Sequence, residues 1–476
     1  MRIPQRHRFR TKLSGNALFR ALPEGERFRF AAGEAAESVF GADPVAVLSS
    51  RSEDLSPDER SADPLLLQEL RALLPRVPDA ESGERFPGGA VGFITYERGA
   101  LLEELPAVSL ERGGPDLHFA IYDTFAIWHP ASSEVEVVSW GLTREGSFDE
   151  TLALRRAGEL EEKLRAAASD SVLGPEAGSE FARRASAVEL ALDPAAIRTS
   201  LDRAAHAQGV ASILNSIERG DIYQANLTVR FDVPDSGDPV ALFERHLALN
   251  PSPHAAFLEA DEMAILSSSP ERLLWVHGRD VESRPIKGTS PRFADPVRDH
   301  ASAQSLLASQ KDQAELLMIT DLMRNDLGKV CEFGSVRVPA LRVLESYAHV
   351  HHLVSTIRGT LRPEYDSLDA LAAVFPCGSI AGAPKRRAMQ ILRALEPAPR
   401  DVYTGTIGWV GFDRSSHWSV AIRTGILAQG ILSFGAGGGI VADSNAEAEW
   451  NELHWKAKAF TEALYAPSRE IAERNA

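Results

Sequence analysis

The chain has 476 residues, 44% hydrophobic and 25% charged, a composition that fits a globular protein with ample core and room for two or three domains. A net charge of −16 argues against nucleic acid or an anionic membrane as partner, and an acidic ligand would need a local cluster of cations or a divalent metal. The two cysteines, Cys331 and Cys377, form no CxxC pair, which excludes a disulfide framework and points to a reducing compartment, the cytoplasm.

No apolar run approaches the ~20 residues of a membrane span. The N-terminus, with Arg2, Arg6, Arg8, Arg10 and Lys12, lacks the apolar core of a signal peptide and reads as a lead-in to the first strand. Strands are predicted at Ala46–Ser49, Gly89–Tyr96, Leu117–His129 and Val135–Trp140 from β-branched and aromatic content, followed by a helix over Thr151–Ala168. Ser169–Glu180 is rich in Gly, Pro, Ser and acids. It divides the chain into an N-terminal lobe over residues 1–170, a linker over 171–190 and a catalytic domain over 191–468.

Beyond the linker, helix and strand signals alternate. A helix over 194–220 ends at Gly220, and Asp221–Asp232 alternates as a strand, with Gln224 and Asn226 on its polar face. Strands follow at Ala264–Ser268, Leu273–His277, His349–Gly359, Thr404–Phe412, Ser419–Leu427 and Ile431–Gly435, with helices near 300–331, 367–374, 384–396 and 446–465. This pattern fits a mixed α+β fold better than a doubly wound parallel sheet.

Several segments can carry chemistry. Arg284-Pro285-Ile286-Lys287-Gly288-Thr289 places a lysine where a proline-started turn meets a glycine. Held near carboxylates and screened from water, such an amine can act as a nucleophile; in isolation it reads as a surface lysine. In the last helix, Ser444 and Glu447 fit a capping box, and Glu449, Glu452 and Lys456 share a face, either a solvated stripe or the border of a cleft. Glu315 lies beside an apolar stripe; if it faces Glu452, two carboxylates could hold a Mg²⁺ that completes its shell from an anionic substrate. Two glycine-rich stretches, Gly378–Lys385 before a helix and Gly435–Gly439 between a strand and the last helix, allow close backbone approach to a ligand but match no nucleotide-binding fingerprint. Arg423 is a cation in an apolar strand and needs a carboxylate partner if buried. His352 reads as a metal ligand, an acid/base group or, as histidine clusters on strands more often are, a structural histidine, and Tyr403 as a strand-edge aromatic.

Together these segments resemble the chorismate-utilising enzymes, and among them the aminodeoxychorismate synthase branch. The resemblance rests on Gly220-Asp221-Ile222-Tyr223-Gln224-Ala225-Asn226-Leu227, Ser268-Ser269-Pro270-Glu271, Pro285-Ile286-Lys287-Gly288-Thr289, Asp321-Leu322-Met323-Arg324-Asn325-Asp326, the Gly378–Lys385 loop, Ala421-Ile422-Arg423 and the Glu449/Glu452/Lys456 face. It implies a large two-lobed fold of mostly antiparallel sheets wrapped by helices, with Mg²⁺ bridging the enzyme and the chorismate ring carboxylate. Carried over position by position, it makes Glu315 and Glu452 metal ligands, with Glu449 a further candidate. Arg423, Tyr403, Lys456 and the amides of Gly437 and Gly438 become carboxylate binders. Ser379 and His352 lie near the ring and its leaving hydroxyl, and Glu271 is the general acid. Gln224 falls where isochorismate synthases carry a lysine base.

Lys287 separates the branches, since the anthranilate, isochorismate and salicylate synthases resemble this region but typically carry alanine there. The resemblance implies that its uncharged amine attacks the ring, that ammonia then displaces it, and that 4-amino-4-deoxychorismate results on the route to 4-aminobenzoate and folate. Ammonia would come from a separate glutamine amidotransferase subunit, and pyruvate release would require another enzyme, an aminodeoxychorismate lyase. Anthranilate synthase component I is the nearest alternative, and a chorismate-binding scaffold for a glutaminase is a third.

Overall fold

In a computed structural model, residues 4–32, 36–77, 85–111, 114–170, 196–234, 237–260 and 262–465 are described. The 171–190 linker lies outside them. The strands assemble into two large antiparallel sheets. In order, the twelve-stranded sheet runs Gln5–Arg10, Glu134–Ser139, Thr124–His129, Ser38–Ala42, Arg27–Ala31, His254–Ala260, Met263–Ser269, Thr424–Ala428, Ile431–Ile440, Gln224–Pro234 and Gly382–Ala383, with Arg198–Thr199 also paired to Gln224–Pro234. The ten-stranded sheet runs Ile286–Pro291, Val350–Thr360, Asp280–Arg284, Arg272–His277, Ser416–Val420, Thr406–Gly411, Gly89–Ile94, Leu117–Tyr122 and Ala46–Ser50, with Arg337–Ser346 on the other side of Val350–Thr360. The α+β class expected from the sequence is therefore the class observed.

Each sheet takes strands from both sides of the 171–195 stretch. Arg27–Ala31 pairs with His254–Ala260, and Gly89–Ile94 pairs with Thr406–Gly411. Between the sheets lies an aromatic core in which Phe28, Phe125, Ile265 and Ile426 from one sheet meet Val91, Phe93 and Trp409 from the other. Helices cover the outer faces: Arg203–Glu218, Pro239–Leu249 and Ala446–Tyr465 on the larger sheet, Gln310–Gly328 and Ser367–Val374 on the smaller. Strands buried on both faces read as near-continuous apolar runs.

Two predicted strands prove to be pairs of strands that change sheet. Leu117–His129 breaks at the buried Asp123 into Leu117–Tyr122 and Thr124–His129, and Ser419–Leu427 breaks at Ala421–Arg423 into Ser416–Val420 and Thr424–Ala428. The 300–331 helix is likewise two, Pro296–Ala308 and Gln310–Gly328, because the Ser309 hydroxyl accepts from Asp312 N and caps a new start. The 194–220 helix shortens to Arg203–Glu218, capped by Asp202. Among the described residues no helix is long and apolar enough to cross a membrane.

Candidate active site

The Ile431–Ile440 strand, the Gln310–Gly328 and Ala446–Tyr465 helices and the short Gly378–Ala381 helix converge on a cavity of about 640 Å³. Its lining includes Lys287, Glu271, His352 and Ser379 together with Glu315, Glu452 and Lys456. Tyr403, Arg423 and Gly437 complete the predicted residues that line it. Gln224, Gly438 and Glu449 do not reach the lining and form a layer directly behind it.

Lys287 lies on a strand, not in the turn expected from its Pro and Gly neighbours. Ile286–Pro291 pairs with Val350–Thr360, and the register slips between Lys287 and Thr289, where Gly288 takes φ +79°. A glycine-based bulge of this kind re-aims the adjacent side chain. The Lys287 side chain is 14% exposed, with Nζ 3.9 Å from Glu315 Oε2. The amine also packs close to Gly439, where an added Cβ would sit 3.4 Å from Lys287 Nζ and 2.4 Å from Gln224 Nε2. The glycine-rich stretch is therefore part of a strand, paired residue for residue with Gln224–Pro234, rather than a loop after one. Both amide atoms of Gln224 are buried with no hydrogen-bond partner among the described residues.

Glu271 sits between two strands, where its backbone N–H donates to Ser269 Oγ. Ser379 Oγ donates to Glu271 Oε1 at 2.9 Å. Burial pushes the Glu271 carboxyl up to about 7, opposed by the Ser379 hydrogen bond and the charge of Lys287. On Val350–Thr360 successive histidines face opposite sides: His351 meets Ser346 and Asp299, while His352 Nδ1 lies 2.9 Å from Thr289 Oγ1. Burial, with the nearby charge of Arg423, holds His352 down to about 4, so its imidazole is neutral at ordinary pH.

The acids on the two helices carry cations of their own. Burial raises the Glu315 carboxyl while Lys287 and Lys311 pull it down; burial also opposes ionisation of Glu452, but Lys456, in contact at 2.7 Å, together with Lys311 and Lys287 brings it below its ordinary value. Lys456 Nζ donates to Gly437 O at 2.9 Å as well. Glu449 accepts from Ser444 Oγ at 2.7 Å and lies 3.5 Å from Lys311. That contact displaces the expected capping box: Ser444 is committed to Glu449, and Asn445 Oδ1 caps the helix by accepting from Glu447 N and Ala448 N. Among the described residues no three His, Cys, Asp or Glu side chains form a ready-made metal group.

Arg423 is in the break between two strands, not within one, at φ +48°. Burial lowers its guanidinium, and among the described residues no carboxylate pairs with it, contrary to the expectation of an acidic partner. Tyr403 packs on Gly435, where a Cβ would lie 2.1 Å from the ring. Sequence reasoning missed Lys311, Thr289 and Asn226, all on the cavity wall. Lys311, four residues before Glu315, was within reach of the helical-pair rule.

A cavity lined by apolar side chains, by lysines already paired with glutamates and by Arg423, which has no carboxylate partner among the described residues, suits a small polyanionic ring. The chain matches the chorismate binding enzyme family over residues 25–462, and it belongs to that family. It is a chorismate-utilising enzyme. It is 38% identical to Aminodeoxychorismate synthase component 1 of Salmonella typhimurium, over 90% of this chain and 89% of the relative. It is 35% identical to Anthranilate synthase component 1 of Geobacillus stearothermophilus, over 82% of this chain and 76% of the relative. The fold superposes on anthranilate synthase component I from Streptococcus pneumoniae with a TM-score of 0.74 at 29% identity, covering 89% of this chain and 92% of the other.

Proposed function

We propose that the chain aminates chorismate to 4-amino-4-deoxychorismate, with Lys287 as covalent nucleophile. The observation that carries the reading is the Lys287 amine, mostly buried in the cavity lining beside Glu315 and close enough to Glu271 for its charge to act on that carboxyl. The amine forms a bond to the ring carbon next to the carboxylate-bearing carbon, the double bonds shift, and the ring C–O bond breaks. Glu271, half protonated near neutrality, gives its proton to the hydroxyl, which leaves as water. Ammonia then adds at the carbon that lost the hydroxyl, the Lys287–carbon bond breaks with its electron pair returning to nitrogen, and a proton from the new ammonium restores Glu271.

We assign Arg423, without a carboxylate partner among the described residues, and Lys456, which donates to the Gly437 carbonyl, to the substrate carboxylates, with Tyr403 and the amides near Gly437 and Gly438 in support. His352 and Ser379, which line the cavity, are assigned to the ring, and the Gln224 amide, buried without a hydrogen-bond partner among the described residues, backs the wall near Lys287. Glu315 and Glu452 present carboxylates from two helices to one cavity, a donor set that suits Mg²⁺, which takes one or two carboxylates and fills its shell with water and substrate oxygen. When bound, the ion supplies positive charge that polarises the ring carboxylate.

The ammonia source fits a separate glutaminase subunit. Cys331 and Cys377 are both buried, and burial pushes their thiols up to about 11 and about 12, so neither offers a thiolate nucleophile. A lyase acting on the product would complete 4-aminobenzoate. A second reading, anthranilate synthesis, is favoured by the similarity to anthranilate synthases, but it leaves the Lys287 amine without a role. Incubating the pure chain with chorismate, Mg²⁺ and ammonium, then adding an aminodeoxychorismate lyase, tests the proposal. 4-Aminobenzoate supports it, and anthranilate formed before the lyase is added overturns it.

A further inference from the structure

One stripe of the Gln310–Gly328 helix carries Glu315, Leu322 and Asp326, spaced by seven and then four residues. Glu315 faces the cavity. Leu322 and Asp326 instead grip the segment that carries Ser379, once at each end. At the near end a Cβ on Gly378 would lie only 2.1 Å from Leu322 Cδ2, so helix and segment are in direct contact. At the far end Lys385 Nζ donates to Asp326 Oδ2 at 3.1 Å. Asp326 Oδ1 also accepts from Lys329 at 2.7 Å, and Lys385 lies 3.9 Å from Glu103.

The Asp326 and Lys385 side chains are 2% and 6% exposed, and neither lines the cavity. A buried ion pair is poor value for stability: removing one partner is strongly destabilising, whereas replacing both by well-packed apolar groups is often neutral. What the pair does set is position. Ser379, next to the Leu322 contact, hydrogen-bonds Glu271, whose carboxyl responds to that bond.

We infer that Asp326 and Lys385 are a positioning pair that clamps residues 378–385 to the helix bearing Glu315, so that Ser379 is held in hydrogen-bond register on Glu271. The helix then acts as a rigid spacer between the carboxylate end of the cavity and its acid end. The inference rests on the proposed role of Glu271 as general acid.

The test is the paired variant Asp326→Leu/Lys385→Met, which removes both charges together. The expected result is a melting temperature within a few degrees of wild type and a KM for chorismate within about twofold, with kcat lower by about tenfold or more, since small misplacements of reacting groups are costly. The alkaline limb of the kcat–pH profile should move to higher pH, because Ser379 donation holds the Glu271 carboxyl down and that donation would slacken. Ser379→Ala should move the limb the same way, and a crystal structure of the paired variant should show Ser379 Oγ out of reach of Glu271. Should the paired variant not fold, Asp326→Glu keeps both charges paired but lengthens the clamp by one methylene and should give a smaller change in the same direction. The inference is overturned if the Ser379–Glu271 bond persists unchanged in that structure, or if kcat and the limb stay at wild-type values. Glu271→Gln run in parallel separates the two claims: a limb that survives this change is not that of Glu271 and removes the acid role, and the crystallographic Ser379–Glu271 distance then decides the clamp by itself.

Discussion

Lys287 Nζ lies 3.9 Å from Glu315 Oε2, while the other oxygen of the same carboxylate lies 4.0 Å from Lys311. The candidate nucleophile and a candidate metal ligand therefore share one electrostatic unit, and a change at either is felt by the other. A divalent cation arriving at Glu315 and Glu452 must compete with Lys311 and Lys456, which already contact these acids.

Glu315→Gln and Glu452→Gln should each weaken Mn²⁺ binding, followed by electron paramagnetic resonance, by at least the roughly 10–100-fold that loss of a supporting group costs a metal site. Chelator treatment should abolish turnover and Mg²⁺ should restore it. Unaltered Mn²⁺ affinity in both variants removes these residues as ligands.

Glu271 links activity and stability to pH. Its carboxyl is raised from 4.5 to about 7 by burial, so the folded chain holds a proton that the unfolded chain releases. The stability this contributes is complete below about pH 4.5 and is lost as pH rises through about 7, an effect on the order of 3 kcal/mol. Glu271→Gln, which stays neutral, should therefore gain stability relative to wild type between pH 5 and pH 8 in paired urea titrations. Its kcat should fall by about 10²–10⁴-fold, and the wild-type alkaline limb near pH 7 should vanish with it. A stability difference that does not change with pH contradicts the assignment.

Gly435→Ala should destabilise the chain by about 1–3 kcal/mol, because the new methyl would overlap the buried Tyr403 ring, 2.1 Å away. A lower urea midpoint with an unchanged slope is the expected signature. Chorismate affinity should weaken in step, since Tyr403 lines the cavity.

Much of this was legible in the residues themselves. The helices Ser367–Val374 and Ala446–Tyr465 fall at the bounds read from the residues, and the residues picked out by motif resemblance converge largely on one cavity. What escaped were features set by partners distant in the chain. In Leu117–His129 and Ser419–Leu427 the change of sheet falls at a lone charged residue, Asp123 and Arg423, and a single polar residue in an otherwise apolar run does not by itself tell a sheet change from one continuous strand. Lys287 looks like a turn residue by its neighbours, yet Val350–Thr360 supplies a ladder and turns Gly288 into a bulge. Gly435–Gly439 looks like a loop by composition, yet Gln224–Pro234 pairs with it throughout. Ser444 has the spacing of a cap, but the buried Glu449 carboxylate takes its hydroxyl.

The most direct test of the central claim is mass spectrometry of the chain after incubation with chorismate and Mg²⁺ without ammonia. The account predicts an adduct equal to chorismate less one water on the peptide containing Lys287, discharged to 4-amino-4-deoxychorismate when ammonium is added. Lys287→Ala should carry no adduct, keep its fold and lose amination by on the order of 10³-fold or more. An unmodified Lys287 throughout turnover, with the Lys287→Ala variant as active as wild type, would contradict it.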